Sequence, residues 1–186
     1  MESKRSLADL IRIYNEKMKT VARGEGQKIR KSFGEQVREL THEDVEKDII
    51  SYIKESLVTK QWKNAHEWIG SALDHPSSQY IDYFLKILNE QDSNAPHYWA
   101  LDVIEYMPEI ISETAIPQLK KLAENINPTW SEAVIEKYFE TIVWNDENAE
   151  EFISTLVNSS NEKISFRAKY WMETFEVERK EDAEDD

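Results

Sequence analysis

Four aromatic residues, Trp62, Trp99, Trp130 and Phe166, recur at intervals of 37, 31 and 36 residues. Each opens a stretch whose apolar residues follow helical spacing, and self-similarity at such a period is the signature of stacked supersecondary units. Proline punctuates the same region. Pro76, Pro96 and Pro128 each stand just ahead of an apolar-periodic segment, a place suited to the first helical turn, where a missing N–H costs nothing. The pattern predicts helical hairpins with first helices over roughly 61–74, 96–107, 128–144 and 162–176. Second helices are expected over roughly 77–90, 114–126 and 146–158. Pro117 would break a hydrogen bond deep inside a helix. With Thr114 as N-cap it falls at the third helical position, which requires a longer connection over about 108–113.

Only four glycines and five prolines occur in 186 residues, too few for the turns of a β protein, so an all-α fold is expected. Ser6 and Asp9 make an N-cap pattern ahead of Leu7, Leu10, Ile11, Tyr14, Met18 and Val21, which share one helical face. Gly24 and Gly26 interrupt that helix. A short helix over 27–38 follows, with Ile29, Phe33 and Val37 on one side. Thr41 and Asp44 cap the next helix, which carries Val45, Ile49, Tyr52, Ile53 and Leu57. The organisation expected is a basic N-terminal segment over 1–38, a helical-repeat domain over 39–176 and a disordered acidic tail over 177–186. The expected core includes Ile104, Leu119, Leu122, Val134, Tyr138, Phe139, Phe152, Ile153 and Leu156.

The two-helix units of about 35 residues, the aromatic-led first helices and the prolines near hairpin turns resemble HEAT-like and armadillo-like α-solenoids over residues 61–176. The regular Asp and Arg ladder of many HEAT repeats is missing. Similar helix lengths also fit an irregular helical bundle. The resemblance implies a stacked array whose surface holds a partner.

Several chemistries find no support. Cysteine is absent, which removes disulfides, thiolate nucleophiles and cysteine-type zinc sites. His42, His66, His75 and His97 are scattered; His42-Glu43 and His66-Glu67 lack the second histidine four residues after the first that a metalloprotease helix needs. Gly24-Glu25-Gly26-Gln27-Lys28 has no preceding strand and no adjacent Gly-Lys-Ser/Thr, so it reads as a hinge. No serine sits in a glycine-flanked elbow. Neither catalysis nor a cofactor or metal is expected. Asp9 and Arg12 interrupt what a signal peptide would keep apolar; with no run long enough to cross a bilayer, a cytoplasmic location is expected.

Charge is the sharpest functional feature. Residues 1–38 hold 10 Lys/Arg against 5 Asp/Glu, while residues 39–186 hold 13 against 32. An acidic body of this kind repels phosphates and attracts basic partners. In the repeat alignment Glu105 and Glu136 both fall six residues after an aromatic anchor. Glu132, Glu136 and Glu140 follow one helix face at spacings of four, where like charges oppose one another. Asp102, Glu105, Glu132, Glu136 and Glu140 are therefore expected to form one exposed patch that binds a basic protein. The analogy is to adaptors and toxin-neutralising immunity proteins. The N-terminal helix offers a surface for homo-oligomer formation. Trp99 and Asp102, one helical turn apart, also resemble the site of HEAT-like alkylpurine DNA glycosylases, which would place Trp99, Asp102 and Trp130 around a base. Such enzymes need bases to hold DNA, and residues 96–160 contain only Lys120, Lys121 and Lys137.

Overall fold

A computed structural model describes residues 5–22 and 24–184, with the side chains of 182–184 excepted. All regular structure among the described residues is helical. Helix α1 (Leu7–Thr20) begins at a capping box: the Asp9 N–H donates to Ser6 Oγ at 3.2 Å, and the Ser6 N–H donates back to the Asp9 carboxylate at 3.3 Å. The Ser6 hydroxyl also donates to that carboxylate at 2.9 Å, and this bond, with the one from the Ser6 N–H, holds the Asp9 carboxyl below its ordinary pKa. Gly24 turns the chain with φ +95°, a conformation that a side chain would oppose, and leads to α2 (Gly26–Arg38). Helix α3 (His42–Thr59) starts at the Thr41 cap and buries Val45, Ile49 and Ile53.

Seven further α-helices follow. They are α4 (Ala65–Gly70, extended by a 3₁₀ turn over Ser71–Leu73), α5 (Gln79–Leu88), α6 (His97–Tyr106), α7 (Glu109–Leu122, extended by a 3₁₀ turn over Ala123–Asn125), α8 (Glu132–Asn145), α9 (Ala149–Leu156) and α10 (Glu162–Glu184). Helix α6 packs against both α4 and α8, and α8 against both α6 and α10. Beside this row, α5 packs against α3 and α7. Tyr80, Phe84, Leu101, Ile104, Tyr138 and Phe139 are completely buried between the two rows. Some polar atoms in this core are matched, whereas the buried Tyr80 hydroxyl has no hydrogen-bond partner among the described residues. The Tyr138 hydroxyl donates to Leu119 O at 2.8 Å, and Leu88 O at the end of α5 accepts from both Trp130 Nε1 and Asn127 Nδ2.

Leu7, Leu10 and Ile11 of α1 join the same core, so the N-terminal segment is continuous with the remainder. Helix α2 buries only Val37. Its C-terminal end is fastened by His75, whose Nε2 meets Val37 O at 2.9 Å, and by an Arg38–Asp74 ion pair at 3.1 Å.

The structure revises several expectations. The four aromatic anchors are not equivalent. Trp62 and Trp130 lie in the loops ahead of α4 and α8, and Trp99 is inside α6. Phe166 is exposed, because α10 turns Ile164 and Ala168 to the core and leaves Phe166 between them on the opposite side. The connection expected over 108–113 is helical. Helix α7 starts at Glu109 behind Pro108, and Pro117 sits well inside it. The proline is tolerated because both it and Glu113, whose carbonyl loses its intrahelical donor, are on the wet face. Pro76 and Pro128 lie in the entering loops, outside the first turns of α5 and α8. Leu122, Phe152 and Leu156 are only partly buried, whereas the other expected core residues are buried.

The acidic segment expected to be disordered continues α10 through Glu184; residues 185–186 lie outside the described residues. Once residues 162–176 are helical, each added residue needs no new nucleation, and Glu, Lys, Arg and Ala all extend a helix readily. Arg179 also pairs with Glu150 at 2.8 Å.

Candidate partner-binding face

The five acidic residues singled out from the sequence lie on α6 and α8, which pack side by side. They do not form a uniformly exposed patch. At the centre is Lys137, whose side chain is 5 % exposed. Its Nζ lies 2.9 Å from Asp102, 3.0 Å from Glu105 and 3.7 Å from Glu140. Burial alone would depress the pKa of this ammonium. Hydrogen bonding to Asp102 and Glu105, with their negative charge, outweighs that and raises it. The tyrosine rings of Tyr106 and Tyr98 complete the enclosure, with centroids 5.2 and 5.7 Å from Nζ.

Glu105 departs most from expectation. Its side chain is 6 % exposed, tied to Lys137 through one oxygen and approached at 3.4 Å by the Thr141 hydroxyl through the other. Glu136 points away from this cluster and takes Arg167 of α10 at 3.0 Å. Glu132, in the first turn of α8, is exposed and has no ion-pair partner among the described residues. Asp102, Glu105 and Glu140 are thus brought together, while Glu136 and Glu132 stand apart from them.

In the sequence Lys137 stands out only as one of three bases between residues 96 and 160. A signal for its real position was present. Val134 and Thr141, three residues before and four after it, share its side of the helix, and both are buried. A lysine on that face needs carboxylates opposite, and α6 supplies them. Arg167 had no such signal, because its partner is fixed only by the packing of α10 on α8.

Three carboxylates around one ammonium leave excess negative charge at the surface. Tyr106 beside them is 65 % exposed. Asn145 ties the end of α8 to this cluster by donating to Glu105 O at 3.4 Å. Trp144 next to it is also largely exposed.

The residues of the DNA-glycosylase resemblance do not line one surface. Trp130 is buried and spends its N–H on Leu88 O, and Asp102 is committed to Lys137. Trp99 is half-buried, its ring 4.1 Å from that of His66. Among the described residues no group of three or more His, Asp or Glu is placed to hold a metal ion, and no helix is long and apolar enough to cross a membrane. Compared with known proteins, the chain matches no family model, no curated protein and no solved structure.

Proposed function

We propose that this chain is a non-enzymatic cytoplasmic scaffold, an α-solenoid of HEAT-like or armadillo-like build, that holds a basic protein against the acidic face of α6 and α8. An adaptor or an immunity-type inhibitor works in this way. The solenoid reading is supported by the row packing: α4, α6, α8 and α10 are successive neighbours, as are α3, α5 and α7. The observation that carries the binding reading is the Lys137 cluster. Its carboxylates outnumber the single ammonium, and exposed tyrosine lies beside it. Such a surface steers a basic partner inward and gives it an aromatic contact on arrival.

The test uses the two carboxylates that the fold needs least, Glu132 and Glu140. A basic protein co-purified from the native source is titrated against wild type and the variant Glu132→Lys/Glu140→Gln, at low and moderate salt. The variant should bind about tenfold more weakly, mostly through slower association, and salt should weaken the wild-type complex in the same direction. Equal binding by both proteins would remove the reading. Tight, salt-sensitive binding of duplex DNA by the wild type would put a nucleic-acid enzyme in its place.

A further inference from the structure

Helices α7 and α8 border an open groove of about 760 Å³ whose lining mixes apolar with polar side chains and whose rim is acidic. Ile116 and Pro117 from α7 face Val143 and Trp144 from α8. Trp144 is 70 % exposed, a large indole that the fold leaves uncovered. Glu109 and Glu113, one turn apart on α7, and Glu147 in the connection after α8 stand along the rim. None of these three carboxylates has a partner among the described residues. Lys120 is the one base in the lining. It is already engaged by Asp146 and lies 5.3 Å from the Phe152 ring, so it does not neutralise the rim.

We propose that this groove docks an arginine-bearing segment of a basic protein, one guanidinium stacking on Trp144 with Glu109 and Glu113 as its carboxylate acceptors. The inference rests on the basic-partner reading and locates the anchor of that partner. Charge complementarity selects the occupant. A purely apolar segment would strip water from three unpaired carboxylates, and an acidic or nucleic-acid segment would be repelled. Lysine meets the charge, but its ammonium offers neither the flat face that stacks on an indole nor the paired donors that match carboxylates. The groove is also continuous with the acidic face, since Asn145 lines it and donates to Glu105 O.

The experiment is a titration of ¹⁵N-labelled full-length protein with blocked tri-arginine, tri-lysine and tri-glutamate peptides, following the indole N–H of Trp144. That signal is assigned by its loss in Trp144→Phe. Tri-arginine should shift it saturably, tri-lysine should bind several-fold more weakly and tri-glutamate not at all. Glu109→Gln/Glu113→Gln and Trp144→Ala should each weaken tri-arginine about tenfold, the scale of one charge-assisted contact, while melting as wild type does. An unmoved Trp144 signal, or equal affinity in the groove variants, overturns the proposal. So does equal weakening by Glu132→Lys/Glu140→Gln, which would mean binding to acidic surface in general. Loss of the basic protein in that face variant, with Trp144 unmoved by tri-arginine, would leave the basic-partner reading standing and remove the groove alone. Tri-arginine bound in the groove of a protein whose face binds no basic partner would separate them the other way. Self-association that Trp144→Ala abolishes would assign the groove to a second copy of this chain and overturn the proposal as well.

Discussion

A single buried ammonium determines what Asp102, Glu105 and Glu140 can do. Without Lys137, Glu105 would be a nearly buried carboxylate with only a long contact to the Thr141 hydroxyl. Lys137→Met should therefore destabilise the protein by about 3–5 kcal/mol, the cost of stranding one partner of a buried pair. Lys137→Met/Glu105→Gln should recover part of that loss, because the stranded charge is gone. Denaturant midpoints of the three proteins check this, and equal midpoints for wild type and Lys137→Met would show the cluster to be solvated. Lys137 itself does not titrate near neutrality: with its folded pKa raised, its contribution is complete below the unfolded value and is lost only as pH rises through the folded one. His97 behaves in the opposite sense. Burial, opposed by its hydrogen bond to Glu90 O, lowers its pKa from 6.5. The unfolded chain then binds the proton first as pH falls, so stability present above about 6.5 declines toward and through the lower folded pKa. Urea midpoints between pH 7.5 and 5 should fall, and should fall less in His97→Gln. The charged cluster was half legible from sequence, since the repeat spacing brought the α6 and α8 acids into proximity. Which of them are buried depended on Lys137, and that required knowing which side of α8 meets α6.

At the scale of the helices, local chemistry carried most of the information. Ser6-Asp9, Thr41 and the periodic apolar residues of α1 and α3 mark their helices in the sequence, and the structure has the caps where those residues stand. The misplaced elements have one cause in common: a local preference was overridden by neighbours. Pro117 argues for a helix start nearby, yet Ala115, Ile116 and Leu119 are buried in α7 on both sides of it. Their packing holds the helix together across the missing bond. Pro117→Ala should restore that bond on an exposed face and stabilise the protein by about 1–3 kcal/mol, less than the full propensity difference because proline also restricts the unfolded chain. A lower melting temperature in this variant would mean that the proline ring is needed where it lines the groove. The aromatic repeat misled in a comparable way, because spacing along the chain fixes neither whether a residue falls inside a helix nor which face it occupies. Trp130 and Phe166 have opposite environments despite equivalent places in the pattern.

For the whole molecule, the basic N-terminal segment and the acidic remainder form one structure, and separating them tests both packing and charge. Leu7, Leu10, Ile11 and Tyr14 are buried, the first three in the common core. At about 1.5–3 kcal/mol for each buried apolar side chain, their removal is comparable with the entire stability of a domain, about 5–15 kcal/mol. Deleting residues 1–25 also removes six bases and four acids, taking the net charge from −14 to −16. That increases self-repulsion in the compact state. The two losses respond differently to salt: added sodium chloride screens repulsion within a Debye length and does not replace missing core. The truncated protein should therefore melt far below the full chain or aggregate, and moderate salt should recover only a small part of the difference. Thermal melts and sedimentation at two salt concentrations measure this. A full recovery in salt would show that α1 acts mainly as a counter-charge. A monomeric truncation that melts with the full chain would show that the row of helices from α3 onward closes its core without α1, leaving the basic segment free to serve another role.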